Sequence, residues 1–457
     1  MLTWIRGSAS PSLRGWASVH VPQLAYPPWR HHPVGMDVRA RTIRWFSLSL
    51  TVAMVAVAAC DKSAPNCETG LCPSGFACNP GSGLCEVLTT PTASTSGLIG
   101  RLSAVRLSDG QLGVAAFSSQ RGSLVWMRES QGDWQPSFLA GPAASAQEPP
   151  AGHTSAAVTD ADGLVHIAWR RAGDATLWYG VQGPNGWQRE QVAVALPGTV
   201  GAALAIGMWQ GTPVIAWRGL DIQNVRVAHK VAETWVLETL PPPAALPGEV
   251  TAAVDLGRSL ALVVMPTGPA IAAYEATRGD LVLAVRSGDV WNVARLAGVD
   301  TKTGADQGDV GMPVAATLGP GAELVLAYRD RQNDQVLLTR AKSGVVSHQL
   351  VMDGQRADDT HQTLRSDVLG TALSVVVLPT GLAVVAAQNA STMRVQIAAE
   401  RPAGGFVSYT VPGTLQGWPT LVTQADATAA CLWLDLADPA HPGAGRLQRW
   451  AVPRGGQ

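Results

Sequence analysis

The chain has 457 residues, of which 15% are charged, with 48 Gly, 31 Pro and a formal net charge of −1. This length allows two or three ordinary domains or one large repeat domain. Few charges and many turn-forming residues favour short strands over helices, and the neutral balance excludes a general positive field for nucleic acid. We therefore expect an all-β protein without a nucleic-acid partner.

The first 35 residues show no periodic pattern. They contain Trp4, Trp16 and Trp29 among scattered Pro and Arg, and Met36 opens a more regular segment. We expect Met36 to be the true start of the protein. Residues 1–35 would then be a disordered extension from a reading frame that was started too early, and they would take no part in the fold.

Residues 36–59 have the pattern of an export signal. Arg39, Arg41 and Arg44 form a basic region, and Trp45 to Ala59 is an apolar stretch of 15 residues. A membrane-spanning helix needs about 20 apolar residues, so this stretch is typical of a signal peptide instead.

The end of this segment resembles the bacterial lipobox. It reads Val57-Ala58-Ala59-Cys60, with Val57 where Leu is usual. The resemblance implies cleavage before Cys60 and its acylation by lipid such as palmitate, which holds a protein on a membrane. It further implies a lipid-anchored protein of the bacterial cell envelope, at the outer membrane, in the periplasm or at the cell surface. An ordinary secretory signal that is cleaved near a cysteine is the alternative.

Residues 60–96 form a predicted Cys-rich tether and linker. Cys67, Cys72, Cys78 and Cys85 lie among many Gly residues, too few side chains for a hydrophobic core. Disulfides commonly replace a core in exported segments, and a zinc site is the rival interpretation. Three pairings are possible. The segment resembles small Cys-rich modules of the form C…C-P-x-G-x-x-C…C, and that resemblance implies Cys67–Cys78 and Cys72–Cys85.

The sixth cysteine, Cys431, stands alone in an apolar run, where we expect a buried small side chain.

Residues 97–457 are predicted to repeat one four-stranded unit. The clearest copy begins at His153 and contains SAAVTD, LVHIAW, TLWYGV and WQREQV. The second strand recurs with its last positions at Phe117, Trp169, Trp217, Tyr274, Tyr328, Gln388 and Trp433. Trp134, Trp187, Trp235, Trp291, Val346 and Phe406 follow those positions by 17 or 18 residues. So constant an offset indicates structural repeats of four strands, the blades of a propeller.

We count seven antiparallel blades, which predicts a seven-bladed β-propeller preceded by the small disulfide-bonded segment. The last unit stops after three strands, and Glu86 to Thr90 is the predicted donor of the missing strand. Closure of the ring removes exposed strand edges. We expect the recurring aromatic side chains to pack between neighbouring blades, although a sugar-stacking role is the alternative. Trp178 and Trp209 lie off the register and are the better candidates for exposed contacts.

The repeats resemble the sialidase-like (BNR) class of propellers in their blade pattern alone. The segment Thr159-DADGLVHIAW lacks the spacing of the sialidase S-x-D-x-G-x-x-W box, and no Arg-Ile-Pro triplet occurs. Kelch and WD40 signatures and the familiar nucleotide, hydrolase and metalloprotease motifs are absent from the sequence as well. We therefore predict no catalytic residues, no metal ligands and no cofactor.

Charged residues concentrate in the turns between second and third strands and in the loops between units. In propellers both lie on one face, where ligands usually bind. The candidate ligand-face residues are Arg170, Arg171, Asp174, Arg218, Asp221, Glu275, Arg329, Asp330, Asp306, Asp309, Asp358, Asp359 and His361. The alternative is that these charges are merely solvated. A calcium loop at Asp300, Asp306 and Asp309 lacks the D-x-D-x-D-G pattern.

These observations predict a monomeric, membrane-anchored propeller that binds an envelope protein or a glycan and acts as a scaffold. The alternative is a glycan-active hydrolase or lyase with a non-standard site on the charged face. Two carboxylates at about 5 to 9.5 Å would be needed for glycoside hydrolysis.

Overall fold

The computed structural model describes residues 76–79, 84–87, 98–131, 133–247, 254–342, 344–357, 364–411, 413, 415–435 and 446–452. The regular elements in these ranges are all β-strands. A search of the same ranges for a helix that is long and apolar enough to span a membrane finds none. The chain divides into two compact units, Met1–Leu88 and Thr89–Gln457.

The first unit contains a two-stranded antiparallel hairpin of β1 (Phe76–Asn79) and β2 (Leu84–Val87). Its backbone register places Cys78 opposite Cys85. Cys60, Cys67 and Cys72 lie outside the described residues, and the disulfide pairing stays a prediction.

The predicted strand donation from Glu86 to Thr90 is wrong where it can be examined. Glu86 and Val87 pair with β1 instead, because a short hairpin satisfies its backbone hydrogen bonds at little loop-closure cost. Residues 88–90 lie outside the described residues.

The second unit consists of seven strand groups in chain order. Group 1 contains β3 (Leu98–Arg106), β4 (Leu112–Ser118), β5 (Ser123–Ser130) and β6 (Asp133–Ala140). Group 2 contains β7 (Ala151–Thr159), β8 (Val165–Arg171), β9 (Leu177–Gly183) and β10 (Gly186–Gln191). Group 3 contains β11 (Val200–Trp209), β12 (Thr212–Gly219), β13 (Asn224–Val231) and β14 (Thr234–Thr239). Group 4 contains β15 (Leu256–Met265), β16 (Gly268–Glu275), β17 (Asp280–Ser287) and β18 (Val290–Ala297).

Group 5 contains β19 (Val310–Gly319), β20 (Glu323–Asp330), β21 (Gln335–Lys342) and β22 (Val345–Asp353). A small hairpin of β23 (Gln355–Ala357) and β24 (Leu364–Ser366) follows it. Group 6 contains β25 (Leu369–Val377), β26 (Ala383–Asn389), β27 (Arg394–Glu400) and β28 (Phe406–Thr410). Group 7 contains β29 (Leu415–Thr423), β30 (Ala429–Asp435) and β31 (Arg446–Ala451). The four strands predicted within residues 153–192 are confirmed by group 2.

Groups 2 to 6 each form a four-stranded antiparallel sheet. Groups 1 and 7 share one seven-stranded sheet in the order β31-β30-β29-β3-β4-β5-β6, joined by a single parallel pairing of Trp418 with Arg101. The first strand of every group contacts the first strand of the next, and β29 contacts β3. The repeated sheets and this ring of first strands are the architecture of a β-propeller.

The core lies between the groups. Buried apolar side chains form clusters that each join two consecutive groups: groups 1 and 2, 2 and 3, 3 and 4, 4 and 5, 5 and 6, and 6 and 7. A further cluster joins group 7 to group 1, where Leu432 packs with Leu102. Because each sheet buries both faces, its middle strands contain continuous apolar runs, as in Leu324–Tyr328 of β20.

The recurring aromatic residues pack between neighbouring groups, as predicted. The Trp187 ring lies edge-on to Trp126 of group 1, with ring centroids 5.9 Å apart. Trp235 stands in the same relation to Tyr179 of group 2, at 5.5 Å. Trp178 and Trp209 are partly exposed, but Trp178 stacks on Trp169 and Arg286 covers the Trp209 ring.

The predicted alignment of the repeats is one residue out of register in groups 1, 4 and 6. Pairing with the first strand places Ala273 and Ala387 where groups 2, 3 and 5 have Trp169, Trp217 and Tyr328. Phe117, Tyr274 and Gln388 are the next residues along their strands and therefore point to the other face. In groups 1 and 4, aromatic identity misled the alignment because both faces of each sheet are buried.

Candidate functional site

The first strands of the seven groups enclose a cavity of about 170 Å³, which we call the central cavity. At one equivalent position, each first strand contributes a small side chain to its wall. These are Ser103, Ala156, Ala205, Ala261, Ala315, Ser374 and Thr420. Seven strands that converge around one axis bring their inward Cβ atoms together, and larger side chains at this level would fill the space. The small residues therefore keep the cavity open.

Hydroxyl groups in the wall bridge neighbouring first strands. The Ser103 Oγ accepts a hydrogen bond from the Ala157 amide at 2.7 Å, and the Ser374 Oγ accepts one from the Leu421 amide at 2.9 Å. The Thr420 Oγ1 donates to the Leu102 carbonyl at 2.9 Å and so joins group 7 to group 1. Because a serine that accepts a bond keeps its own O–H donor, Ser103 and Ser374 can still donate to a ligand.

Arg101 is the one charged residue in the wall of the central cavity. Its guanidinium lies 5.4 Å from the ring centroid of Trp418, in a cation–π contact. Burial lowers the pKa of Arg101 from its ordinary value, although an arginine remains protonated at neutral pH. Throughout the described ranges, no carboxylate forms an ion pair with Arg101.

Ser155 adds an unpartnered hydroxyl to the same wall. Its side chain is buried, and its Oγ has no hydrogen-bond partner in the described part of the chain. A buried hydroxyl without a partner costs free energy, so a bound molecule that supplied an acceptor would remove this cost. The cavity therefore combines one cation with several hydroxyl donors.

A second candidate region is the charged face, formed by the turns between second and third strands and the loops that lead into the next first strand. Backbone hydrogen bonds join the two kinds of segment, as from the Leu220 amide to the Thr199 carbonyl at 2.8 Å. The predicted ligand-face residues among the described residues lie in or next to these segments, and none of them lines the central cavity.

The arginines of the charged face bind groups of the protein itself. Arg170 donates to the Val200 carbonyl at 2.7 Å, which ties group 2 to group 3. Arg171 pairs with Asp174, whose pKa falls below its usual range mainly through this hydrogen bond. Arg329 pairs with Asp334 at 2.7 Å.

Two arginines of group 3, Arg218 and Arg226, form similar pairs. Arg218 contacts Asp255 at 2.7 Å, and Asp255 also binds Arg258 at 2.6 Å. Asp221 binds Arg226 at 2.6 Å. These charges are largely neutralised within the protein.

The acids of the charged face mostly cap turns. The Asp330 Oδ1 accepts hydrogen bonds from the amides of Gln332 and Asn333, both at 3.0 Å. Glu275 is buried and accepts one from the Thr277 amide at 2.7 Å. Such side-chain bonds to the backbone stabilise turns.

Asp306 and Asp309 also have partners within the protein. Asp306 accepts a hydrogen bond from the Gly308 amide at 2.9 Å. Asp309 accepts one from the Tyr274 hydroxyl at 2.9 Å and pairs with Arg331 at 2.7 Å. Burial raises the pKa of Tyr274 to about 12, with the hydrogen bond to Asp309 acting in the same direction.

Asp358, Asp359 and His361 lie outside the described residues, so their part of the predicted face stays a prediction. Where the chain is described, no three His, Cys, Asp or Glu residues are grouped in a way that could hold a metal ion.

The sequence interpretation missed Arg101, and it did not foresee that Asp280 is buried. Asp280 is fully buried, forms an ion pair with Arg295 at 3.0 Å and lies opposite Glu275 in the strand register. Burial raises the pKa of Asp280 to about 6. The first strands of six groups carry Gly near the start and a small residue four positions later, as in Gly152 to Ala156. This pattern could have pointed to the segment Gly100 to Ala104, which holds Arg101.

No protein family matches this chain, and no curated protein matches it either. Similarity is found among solved structures. A fungal alcohol oxidase of the AA5 family, in complex with copper, has a TM-score of 0.50 at 12% identity, over 78% of this chain and 74% of that one. At such identity the likeness concerns the fold alone.

Two further similar structures have lower scores. The lectin of Aleuria aurantia, a six-bladed β-propeller that recognises fucose, has a TM-score of 0.43 at 14% identity, over 70% of this chain and 96% of that one. The α-L-arabinofuranosidase Arb93A of Fusarium graminearum has a TM-score of 0.42 at 12% identity, over 79% of this chain and 94% of that one.

Proposed function

We propose that this protein is an exported, lipid-anchored propeller of the bacterial cell envelope that binds a protein or glycan ligand and has no catalytic role. The observation that carries the binding role is the difference between the two candidate regions. On the charged face, the described candidate carboxylates and guanidinium groups already bind the protein's own groups. The central cavity instead offers donors without acceptors.

Glycan hydrolysis is less well supported than binding. A glycosidase needs one carboxylate that can protonate and one that can attack or activate water. Asp309, Asp330 and Asp174 each accept hydrogen bonds from donors within the protein, which keep their oxygens occupied.

We propose seven blades, one for each strand group. Support comes from the seven core clusters, each of which joins consecutive groups, and from the small residue that each first strand contributes to the central cavity. Group 7 lacks a fourth strand among the described residues, and the single Trp418–Arg101 pairing joins it to group 1 in one sheet.

The lipid anchor is tested by replacing its cysteine. In the Cys60→Ser variant, we expect loss of metabolic labelling with a palmitate analogue and movement from the membrane fraction to the soluble fraction. The Cys431→Ala variant is the control and should keep both properties, since Cys431 is buried in group 7. A Cys60→Ser protein that remained labelled and membrane-bound would contradict the lipobox interpretation.

The binding role is tested with the purified protein on panels of bacterial polysaccharides and by cross-linking in envelope preparations. We expect retention of a glycan or capture of one specific envelope protein, without release of reducing ends. Release of reducing ends that disappeared in Asp306→Asn would support a hydrolase instead. Absence of retention, capture and turnover on every panel would contradict the proposed function.

A further inference from the structure

The central cavity holds a positive charge that the described protein does not neutralise. Arg101 lines it, and the other lining residues are Leu, Ile, Val, Ala, Ser, Thr and Pro, with no acid among them. Elsewhere in the second unit, several arginines at the inter-strand turns have carboxylate partners, as Arg218 and Arg329 do. Arg101 is only partly buried, so a ligand that brings a counter-charge can reach it from the cavity.

The contact with Trp418 stabilises the charge of Arg101 but leaves its N–H donors without acceptors. A cation–π contact stabilises the charge, but it gives the five N–H donors of a guanidinium no oxygen acceptor. None of the hydrogen bonds in the described part of the chain uses these donors. The planar fork of an arginine matches a carboxylate, which can accept two parallel N–H bonds.

The remaining donors of the wall suit the same group. The Ser155 Oγ is buried without a partner, and the Ser103 and Ser374 hydroxyls each accept a backbone hydrogen bond and keep a proton to donate. A carboxylate has about four lone-pair sites and donates nothing, so it complements a wall that offers a guanidinium and serine hydroxyls.

The size of the cavity limits the ligand. Its volume of about 170 Å³ is below the range of roughly 300–1,000 Å³ that is usual for drug-sized ligands. It therefore suits a small acid, or the acidic end of a larger molecule, better than a whole oligosaccharide.

We infer that the central cavity binds a carboxylate, held by Arg101 and by the hydroxyls of Ser103, Ser155 and Ser374. This inference deepens the proposed binding function, on which it rests for its biological setting, and it names the chemistry of the group that enters the protein. The carboxylate can belong to an acidic sugar or to a short organic acid.

Isothermal titration of the full chain with galacturonate, galactose and acetate tests the inference. We expect galacturonate to bind and galactose, which has the same ring without the carboxylate, not to bind. In Arg101→Gln the affinity for galacturonate should fall at least tenfold. Arg106→Gln is the matched control, because Arg106 is exposed at the other end of β3, and it should bind as the wild type does.

Acetate identifies the source of the carboxylate. Tighter binding of galacturonate than of acetate would indicate an acidic sugar, and equal binding would indicate that the carboxylate alone is recognised. Both results support the inference. Binding of neither acid to the wild type, or unchanged binding in Arg101→Gln, would overturn it.

Folding is checked separately. Arg101 is partly exposed and loses only the contact with Trp418 in Arg101→Gln, so the urea midpoint of this variant without ligand should lie close to that of the wild type. If this variant does not fold, Arg101→Lys keeps the charge but loses the fork and should bind galacturonate about tenfold more weakly. Retention of a polysaccharide or an envelope protein together with no carboxylate binding would refute this inference and leave the proposed function standing. Carboxylate binding together with no retention of a polysaccharide and no capture of an envelope protein would refute the proposed function alone.

Discussion

Whether a charged side chain in this protein is free to bind a ligand depends on its partners in the fold more than on its position in the sequence. Charged residues at the turns were predictable, since turns must be polar, but their pairing was not. Arg218 and Asp255, for example, are 37 residues apart in the chain and belong to different groups. Arg101 has no such partner in the described ranges, and a sequence gives no sign of which cation lacks one. Burial of Cys431 was predictable from its apolar neighbours and is confirmed.

Asp280 makes the stability of the protein depend on pH. Its pKa of about 6 in the folded protein exceeds the ordinary value of 3.8, so the folded state holds this proton more tightly. Stability should therefore fall as pH rises from about 4 to about 6, by about 2–3 kcal/mol in total. Urea unfolding between pH 4 and pH 7 measures the effect.

The contribution of Asp280 is isolated by substitution. Asp280→Asn should remove this decline and flatten the pH profile relative to the wild type. Asp289→Asn is the control, because Asp289 is fully exposed, and it should keep the wild-type slope. Parallel profiles for the wild type and Asp280→Asn would show that Asp280 ionises normally.

Among the elements, the first strand of each group carries the irregularity that shapes the site. Its register shifts after the first or second residue, as between Ala151 and Ser155, and a Gly lies within the shift. The sequence predicted second and fourth strands well, because aromatic residues mark them. It predicted first strands poorly, because their pattern consists of Gly, Ala and Ser, which also occur throughout the turns.

Gly152 should tolerate no side chain. It has a φ of +93°, and an added Cβ would lie 2.4 Å from the Leu124 Cβ and 2.9 Å from the Leu124 Cα. We expect Gly152→Ala to lower the free energy of unfolding by about 2 kcal/mol, through backbone strain and this clash. Gly173→Ala is the control, since its Cβ would make an ordinary 3.6 Å contact with Pro149. Equal denaturation midpoints for the two variants would contradict this role of the first-strand Gly.

The fourth strand of one group is clamped to the next group by an acid. Glu238 of group 3 accepts hydrogen bonds from the Trp291 Nε1 at 2.5 Å and pairs with Arg286 at 2.9 Å, both in group 4. Glu190 of group 2 binds Trp235 and Lys230 of group 3 in the same way. The tryptophan spacing that revealed the repeats therefore also marks polar joints between groups.

Removal of one clamp should weaken the fold. Glu238→Ala leaves the buried Arg286 without its main partner, and we expect a loss of about 2 kcal/mol in the free energy of unfolding. Glu233→Ala, at an almost fully exposed side chain in the same hairpin, should change it by less than about 0.5 kcal/mol. Chemical denaturation of both variants measures these changes. Equal free energies of unfolding for Glu238→Ala and Glu233→Ala would mean that the contacts of Glu238 do not stabilise the fold.

For the whole molecule, stability depends on the joint between the two ends of the second unit. Leu447 of β31 is buried in the cluster that group 7 shares with group 1, and Arg449 pairs with Glu129 of β5. The sequence predicted a ring that closes on itself, but it assigned the closure to Glu86–Thr90. It could not reveal that existing strands make the joint with side chains, since these contacts span more than 300 residues.

Deletion of residues 446–457 should open this joint. We expect a lower urea midpoint and faster labelling of Cys431 by a thiol reagent, because β31 pairs directly with the strand that holds this fully buried residue. Burial raises the pKa of the Cys431 thiol, which slows labelling of the intact protein. Deletion of residues 453–457 alone is the control. Mass spectrometry of the Cys431 peptide measures labelling, and equal rates in both truncations would contradict this account.

The ring of small side chains around the central cavity has a consequence for how such a protein can change its ligand. Each of Ala156, Ala205, Ala261 and Ala315 reaches the same space from a different strand. One added methyl group at any of them would narrow the space. Ala315 also belongs to the cluster between groups 5 and 6, and Ala156 and Ala205 pack against two other clusters, so a change at these positions would act on the fold as well. Ala261 lies outside the core clusters of the described residues, so a substitution there can change the ligand size while the joints between groups stay the same.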